Sequence, residues 1–162
     1  MIIRDSKMKR IFLISIFLFI FCQNVFCQKQ IIIKSNFLIP YDFILVDNQD
    51  VRKDFNFYNS LFVKDGIFSR PIEIAYIGWH EPITPNSAAG ICYNTEYGNI
   101  IILIKSKNQY WDEATYRRVL VHEMIHAYQN QILNDSDLAH NDNFRKISKM
   151  INLKYHYNIQ NN

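Results

Sequence analysis

An α+β fold is predicted for this chain: an N-terminal helix, a small β-sheet containing a hairpin, a long helix and a shorter C-terminal helix. Three observations carry that prediction. Apolar residues recur at spacings of three and four in residues 47–62 and again from residue 112 onward. Short β-rich runs bounded by glycine and proline lie between those stretches. A further helical pattern follows the second stretch. With 162 residues, 49% of them apolar and 15% aromatic, the chain has material for one modest core and lacks the composition of a disordered protein.

The first segment stands apart. Lys9 and Arg10 precede the apolar run Ile11 to Phe21, and Val25-Phe26-Cys27 ends with small residues at its first and third positions. A basic region, an apolar stretch and a small-residue cleavage point predict a secretory signal peptide over residues 1–27. Met8 offers an alternative start. A single domain is expected from residue 28 to 162, with a secreted or periplasmic location. The alternative is a chain anchored through its uncleaved leader, but the apolar run is shorter than the roughly 20 residues of a membrane-spanning helix. Lipid attachment at Cys22 or Cys27 is disfavoured by the bulky Phe21 and Phe26 before them.

The leader also accounts for the chain's basic character. It holds Arg4, Lys7, Lys9 and Arg10 against Asp5, out of 18 basic and 15 acidic residues in all, so 14 of each remain behind it. A net charge of zero gives no strong sign of nucleic-acid binding. Cys92 is left as a single cysteine, which excludes an internal disulfide framework.

Behind the leader, Gln30 to Leu45 reads as an extended lead-in around Pro40. The first helix spans Asp47 to Phe62 on Val51, Phe55, Tyr58, Leu61 and Phe62, and Asp65-Gly66 ends it. Ile72, Ile74, Tyr76 and Ile77 form a strand that Gly78 closes, with Trp79 packed and His80 in solvent beside a loop containing Pro82 and Pro85. Ile91–Tyr93 and Ile100–Ile104 are the arms of a hairpin around Gly98. The second arm is apolar on both faces and reads as a buried strand. If it lies at a sheet edge, Asn99 to Ile104 would accept an extended peptide by β-augmentation. The long helix starts at Asp112-Glu113 and carries Tyr116, Val119, Leu120, Met124, Ile125 and Tyr128. A last helix from about Asn141 to Leu153 would bury Phe144, Ile147, Met150 and Ile151, leaving Tyr155, His156 and Tyr157 as a frayed end.

The chemistry lies in His122-Glu123-Met124-Ile125-His126. Histidines four apart on a helix project from one face and can share one Zn2+. Glu123, turned by about 100°, reaches a water on that ion rather than the ion itself. The metal lowers the water's pKa toward about 7 and the carboxylate takes its proton. A partly exposed histidine pair with Glu123 in a surface contact is the plainer account. The mid-helix position and the apolar spacers Met124 and Ile125 favour the metal.

A catalytic zinc uses three protein ligands and one open position. Gln129 and Ile132 stand where one extended motif requires Gly and His, and no glutamate follows Glu123. His140, His156, Asp135, Asp137 and Asp142 remain. His140, just ahead of the last helix after a short loop, is the assigned third ligand, with Asp137 next and His156 as a further alternative.

The segment His122 to Gln129, followed by Ala139-His140-Asn141-Asp142-Asn143-Phe144, resembles the SprT-like metalloprotease domain found also in Spartan. Tyr58 to Phe62 with Gly66-Ile67 is similar to the end of its first helix. Ala89-Gly90-Ile91-Cys92 with Gly98 to Ile102 is similar to its hairpin. The resemblance spans roughly residues 47–153. It implies a zincin-like fold, His122, His126 and His140 as zinc ligands, Glu123 as general base, and hydrolysis of peptide bonds in a peptide or protein substrate. Two features depart from it: the family's cysteine-rich ribbon or DNA-binding tail is not found, and an export signal is. The resulting expectation is an exported zinc metallopeptidase. The alternatives are a non-catalytic zinc-containing binding protein, against which the intact Glu123 argues, and a zinc hydrolase of non-peptide amides.

Overall fold

The computed structural model describes residues 31–33, 43–45, 47–81, 88–95, 98–105, 109–135 and 140–160. The expected leader and the candidate ligand Asp137 lie outside them. The chain divides into two compact units, Met1–Ile44 and Leu45–Asn162. Ile31–Ile33 (β1) and Phe43–Leu45 (β2) form a two-stranded sheet. No described helix is long and apolar enough to cross a membrane.

The second unit has the expected α+β architecture: three helices and a three-stranded sheet. Helix α1 (Gln49–Lys64) begins where the Asn48 side chain accepts the N–H groups of Asp50 and Val51, and it buries Val51, Phe55, Asn59 and Phe62. After Gly66, at φ 69°, turns the chain, the buried Asn59 amide clamps both backbone groups of Ile72, at 2.8 and 3.0 Å. That clamp aims the chain into β3 (Ile74–His80).

The sheet order is β3-β5-β4, with β4 spanning Gly90–Thr95 and β5 Gly98–Ile104. β5 runs parallel to β3 and antiparallel to β4. Its central place explains the run of isoleucines, since both its faces and both its edges are covered. One expectation is corrected here, and one condition is not met. Gly78 does not close β3: the strand continues to His80, because Gly78, Trp79 and His80 stay in register with Ile102, Leu103 and Ile104. Residues 99–104 do not form a sheet edge either, so they have no free backbone groups for an added strand; the outer strands are β3 and β4.

Helix α2 (Glu113–Leu133) is capped by Asp112, whose carboxylate accepts the Thr115 N–H at 2.7 Å, and it ends at Asn134 in the left-handed conformation, φ 50°. It packs on β4, β5, α1 and helix α3 (Asp142–Tyr155), so its middle turns are buried on every side, from Val119 to Gln129 apart from the half-buried His122. Helix α3 turns Phe144, Ile147 and Ile151 inward. Met150, expected in the core, is 38% exposed, because it falls one position off the stripe that those three define. Residues 155–159 are not frayed. Tyr155 and Tyr157 pack against the rings of Phe62 and Tyr58 on α1, and Ile159 is buried, held by two hydrogen bonds to the Asn152 amide. Trp79 packs as expected, against Trp111 and Tyr116, while His80 is half-buried rather than in open solvent.

Candidate metal centre

His122 and His126 stand one turn apart on α2, and their Nε2 atoms are 3.2 Å apart. His140 immediately precedes Asn141, the N-cap of α3, and its Nε2 lies 3.0 Å from that of His122. All three ligand atoms fall within 4.8 Å of one another. Tetrahedral arms of about 2.0–2.1 Å require neighbouring ligand atoms about 3.3 Å apart, so these imidazoles have the spacing of metal ligands. Phe144 forms the floor beneath them, its ring centroid 4.8, 4.7 and 4.5 Å from those of His122, His126 and His140.

The other candidates are placed elsewhere. His156 is exposed and caps the C-terminus of α3 at φ 58°. Asp142 is exposed beside Arg145. The Asp135 carboxylate accepts from the amides of Asn141 and Asn143, at 2.7 and 3.0 Å. None of the three joins the histidine cluster.

Glu123 is 5% exposed and lines, with His122 and His140, a cavity of about 520 Å3. The backbone of β4 comes close beside it. A Cβ built on Gly90 would meet Glu123 Oε1 at 2.6 Å and Val119 Cγ1 at 2.9 Å. Glycine is required here by proximity and not by its backbone angles.

Burial sets the charge state of the site. It lowers His122 to about 3, with His126 and His140 adding repulsion, and it lowers His126 to about 4. It raises the Glu123 carboxyl to about 8. The centre therefore presents His122 and His126 as neutral imidazoles beside a carboxyl that burial biases toward its protonated form. A donor set of this kind, converging on one point, fits a divalent metal.

A second layer orients the ligands. Asn141 Oδ1 accepts the N–H groups of Asn143 and Phe144 at the start of α3, which makes that atom an acceptor. Gln129, fully buried, donates its Nε2 to the same oxygen at 2.9 Å. Its Oε1 is left facing His126 Nδ1 at 3.1 Å, so Nδ1 carries the hydrogen and the Nε2 lone pair points to the cluster. The cap of one helix thus sets the tautomer of a ligand on another. Sequence reasoning missed Gln129 in this role, although its i+3 spacing from His126 was a legible signal. It missed the role of Gly90 also, which enters the sequence reading only as part of the hairpin resemblance.

Among known protein families, the model of the SprT-like family matches residues 55–162. No curated protein matches the chain.

Proposed function

The chain belongs to the SprT-like family, and from that premise we propose that it is an exported zinc metallopeptidase acting on peptides or proteins. The observation that carries the reading is the convergence of His122, His126 and His140 beside a buried Glu123 in one cavity.

His122, His126 and His140 would hold the ion. Zinc bound there supplies a Lewis acid that acidifies a water and polarises a carbonyl. Glu123 takes the water's proton on its carboxylate and passes it to the departing amine nitrogen. Gln129 keeps the His126 Nε2 lone pair aimed inward while this happens. Among the described residues β4 pairs only with β5. Its other edge starts at Gly90, beside Glu123, and would take an extended peptide as an added strand. A carboxylate buried beside the cluster favours catalysis over a non-catalytic zinc protein, since ligation alone does not require it.

Export rests on the leader's composition, and a peptide or protein partner is favoured over nucleic acid by the net charge of zero behind that leader. Zinc-loaded mature protein incubated with a mixture of denatured proteins should produce fragments, and a chelator should abolish them. A fully loaded protein that leaves every substrate intact would overturn the reading.

A further inference from the structure

We propose that Arg118 forms a carboxylate-binding subsite in the catalytic cleft, one helical turn from the metal centre, and so selects peptides bearing an acidic group next to the cleaved bond. The inference rests on the peptidase reading and adds a substrate class to it.

Arg118 lies four residues before His122 on α2, hence on the same helix face, and both line the same cavity. The other described arginines on helices have carboxylate partners: Arg52 with Asp47, Arg117 with Glu113 and Arg145 with Asp142. Arg118 makes no hydrogen bond or ion pair with any described residue, although it is half-buried. The acidic group whose titration feels it is Asp112. That carboxylate is committed to capping α2 through the Thr115 N–H.

Apart from Glu123 and the two histidines, the described residues lining the cavity beside Arg118 are uncharged, among them Gln109, Trp111 and Thr115. A half-desolvated guanidinium without a partner is a vacant bidentate site for a planar anion. In a peptide that anion is a carboxylate, either an Asp or Glu side chain or the chain's own C-terminus. One helical turn is about 5.4 Å and an extended peptide advances about 3.3 Å per residue. The acidic group therefore belongs within about two residues of the scissile bond.

The test uses the zinc-loaded mature protein and its Glu123→Gln form, which holds peptides uncleaved. Peptides identical except for one Glu, Gln or Lys, moved through the three positions on each side of the cleaved bond, are made with free and with amidated C-termini. Affinity is read by titration calorimetry on Glu123→Gln, and kcat/KM on the wild type. The Glu peptide should bind on the order of tenfold or more tighter than its Gln counterpart. That preference should vanish in Arg118→Gln, reverse toward Lys in Arg118→Glu, and survive in part in Arg118→Lys, with zinc content and circular dichroism unchanged in all three. A preference that persists on amidated peptides assigns the subsite to a side chain; one lost on amidation assigns it to the chain terminus.

Equal binding of Glu, Gln and Lys peptides, no binding of any of them, or an acid preference that outlasts Arg118→Gln overturns the subsite. So does a short oligothymidylate that competes with the peptides on the wild type but not on Arg118→Gln, since that hands the guanidinium to phosphate. Acid-selective binding without cleavage would sink the peptidase reading and leave the subsite standing. Cleavage without acid selectivity would do the reverse.

Discussion

Gln129 Oε1 lies 3.1 Å from His126 Nδ1, and the other end of the same amide is held at 2.9 Å by Asn141, the residue after His140. One buried side chain thereby links the two segments that bring the histidines together. Gln129→Ala should weaken zinc binding by about 10–100-fold, the usual cost of removing an outer partner of a ligand. It should also release the His126 tautomer, visible in the imidazole 15N shifts of the metal-free protein. Unchanged zinc affinity together with unchanged shifts would contradict this role.

Gly90→Ala is expected to separate metal binding from turnover. Its methyl would occupy space 2.6 Å from Glu123 Oε1 and must push that carboxylate aside, and none of the three atoms nearest to it belongs to a ligand histidine. Zinc content should stay at one per chain and activity should fall on the order of 10²-fold, as for a misplaced catalytic group. Wild-type turnover in Gly90→Ala would show that Glu123 has room to adjust.

Glu123→Gln and His140→Ala should fail in different ways. The first keeps all three imidazoles but cannot accept a proton, so zinc remains and turnover drops about 10²–10⁴-fold. The second removes a ligand, so zinc itself is lost and excess zinc restores part of the activity. Elemental analysis beside activity distinguishes them. Full zinc occupancy in His140→Ala would remove it from the ligand set.

The metal-free protein should be most stable near pH 6–7. Burial holds His122 at about 3 and His126 at about 4, below the ordinary 6.5. Their contribution is complete above about 6.5 and is lost as pH falls, because the unfolded chain takes up protons that the folded one refuses. Glu123 acts oppositely. Raised from 4.5 to about 8, it contributes below 4.5 and loses that contribution as pH rises through 8. Two groups oppose one between pH 4.5 and 6.5, and Glu123 acts alone above it. Urea midpoints of the chelated protein that still climb between pH 7 and 9 would contradict this account.

If residues 1–27 are a cleaved leader, protein recovered from cells should begin near Gln28, as read by mass spectrometry. An intact leader in a cytosolic fraction would refute export.

The order of elements behind residue 47 and the identity of the histidine cluster were legible in the sequence because both depend on local spacing. Helical periodicity located α1, α2 and α3, and residues four apart on a helix share a face wherever that helix packs. His140 was legible for a similar reason: it directly precedes the Asn141 cap that starts α3. What the spacing could not decide was strand order. Ile100 to Ile104 reads as a buried strand without showing its place in the sheet, and only pairing with β3 and β4 together put it in the middle and left those two as the outer strands among the described residues. Gly78 was misread as a stop because a strand's end depends on where its partner ends, and β5 carries β3 on to His80. Gly90 beside Glu123, Gln129 between His126 and Asn141, and the unpaired Arg118 in the cleft are relations across elements. Such relations follow from how α2 packs between the sheet and α3, which no local pattern encodes.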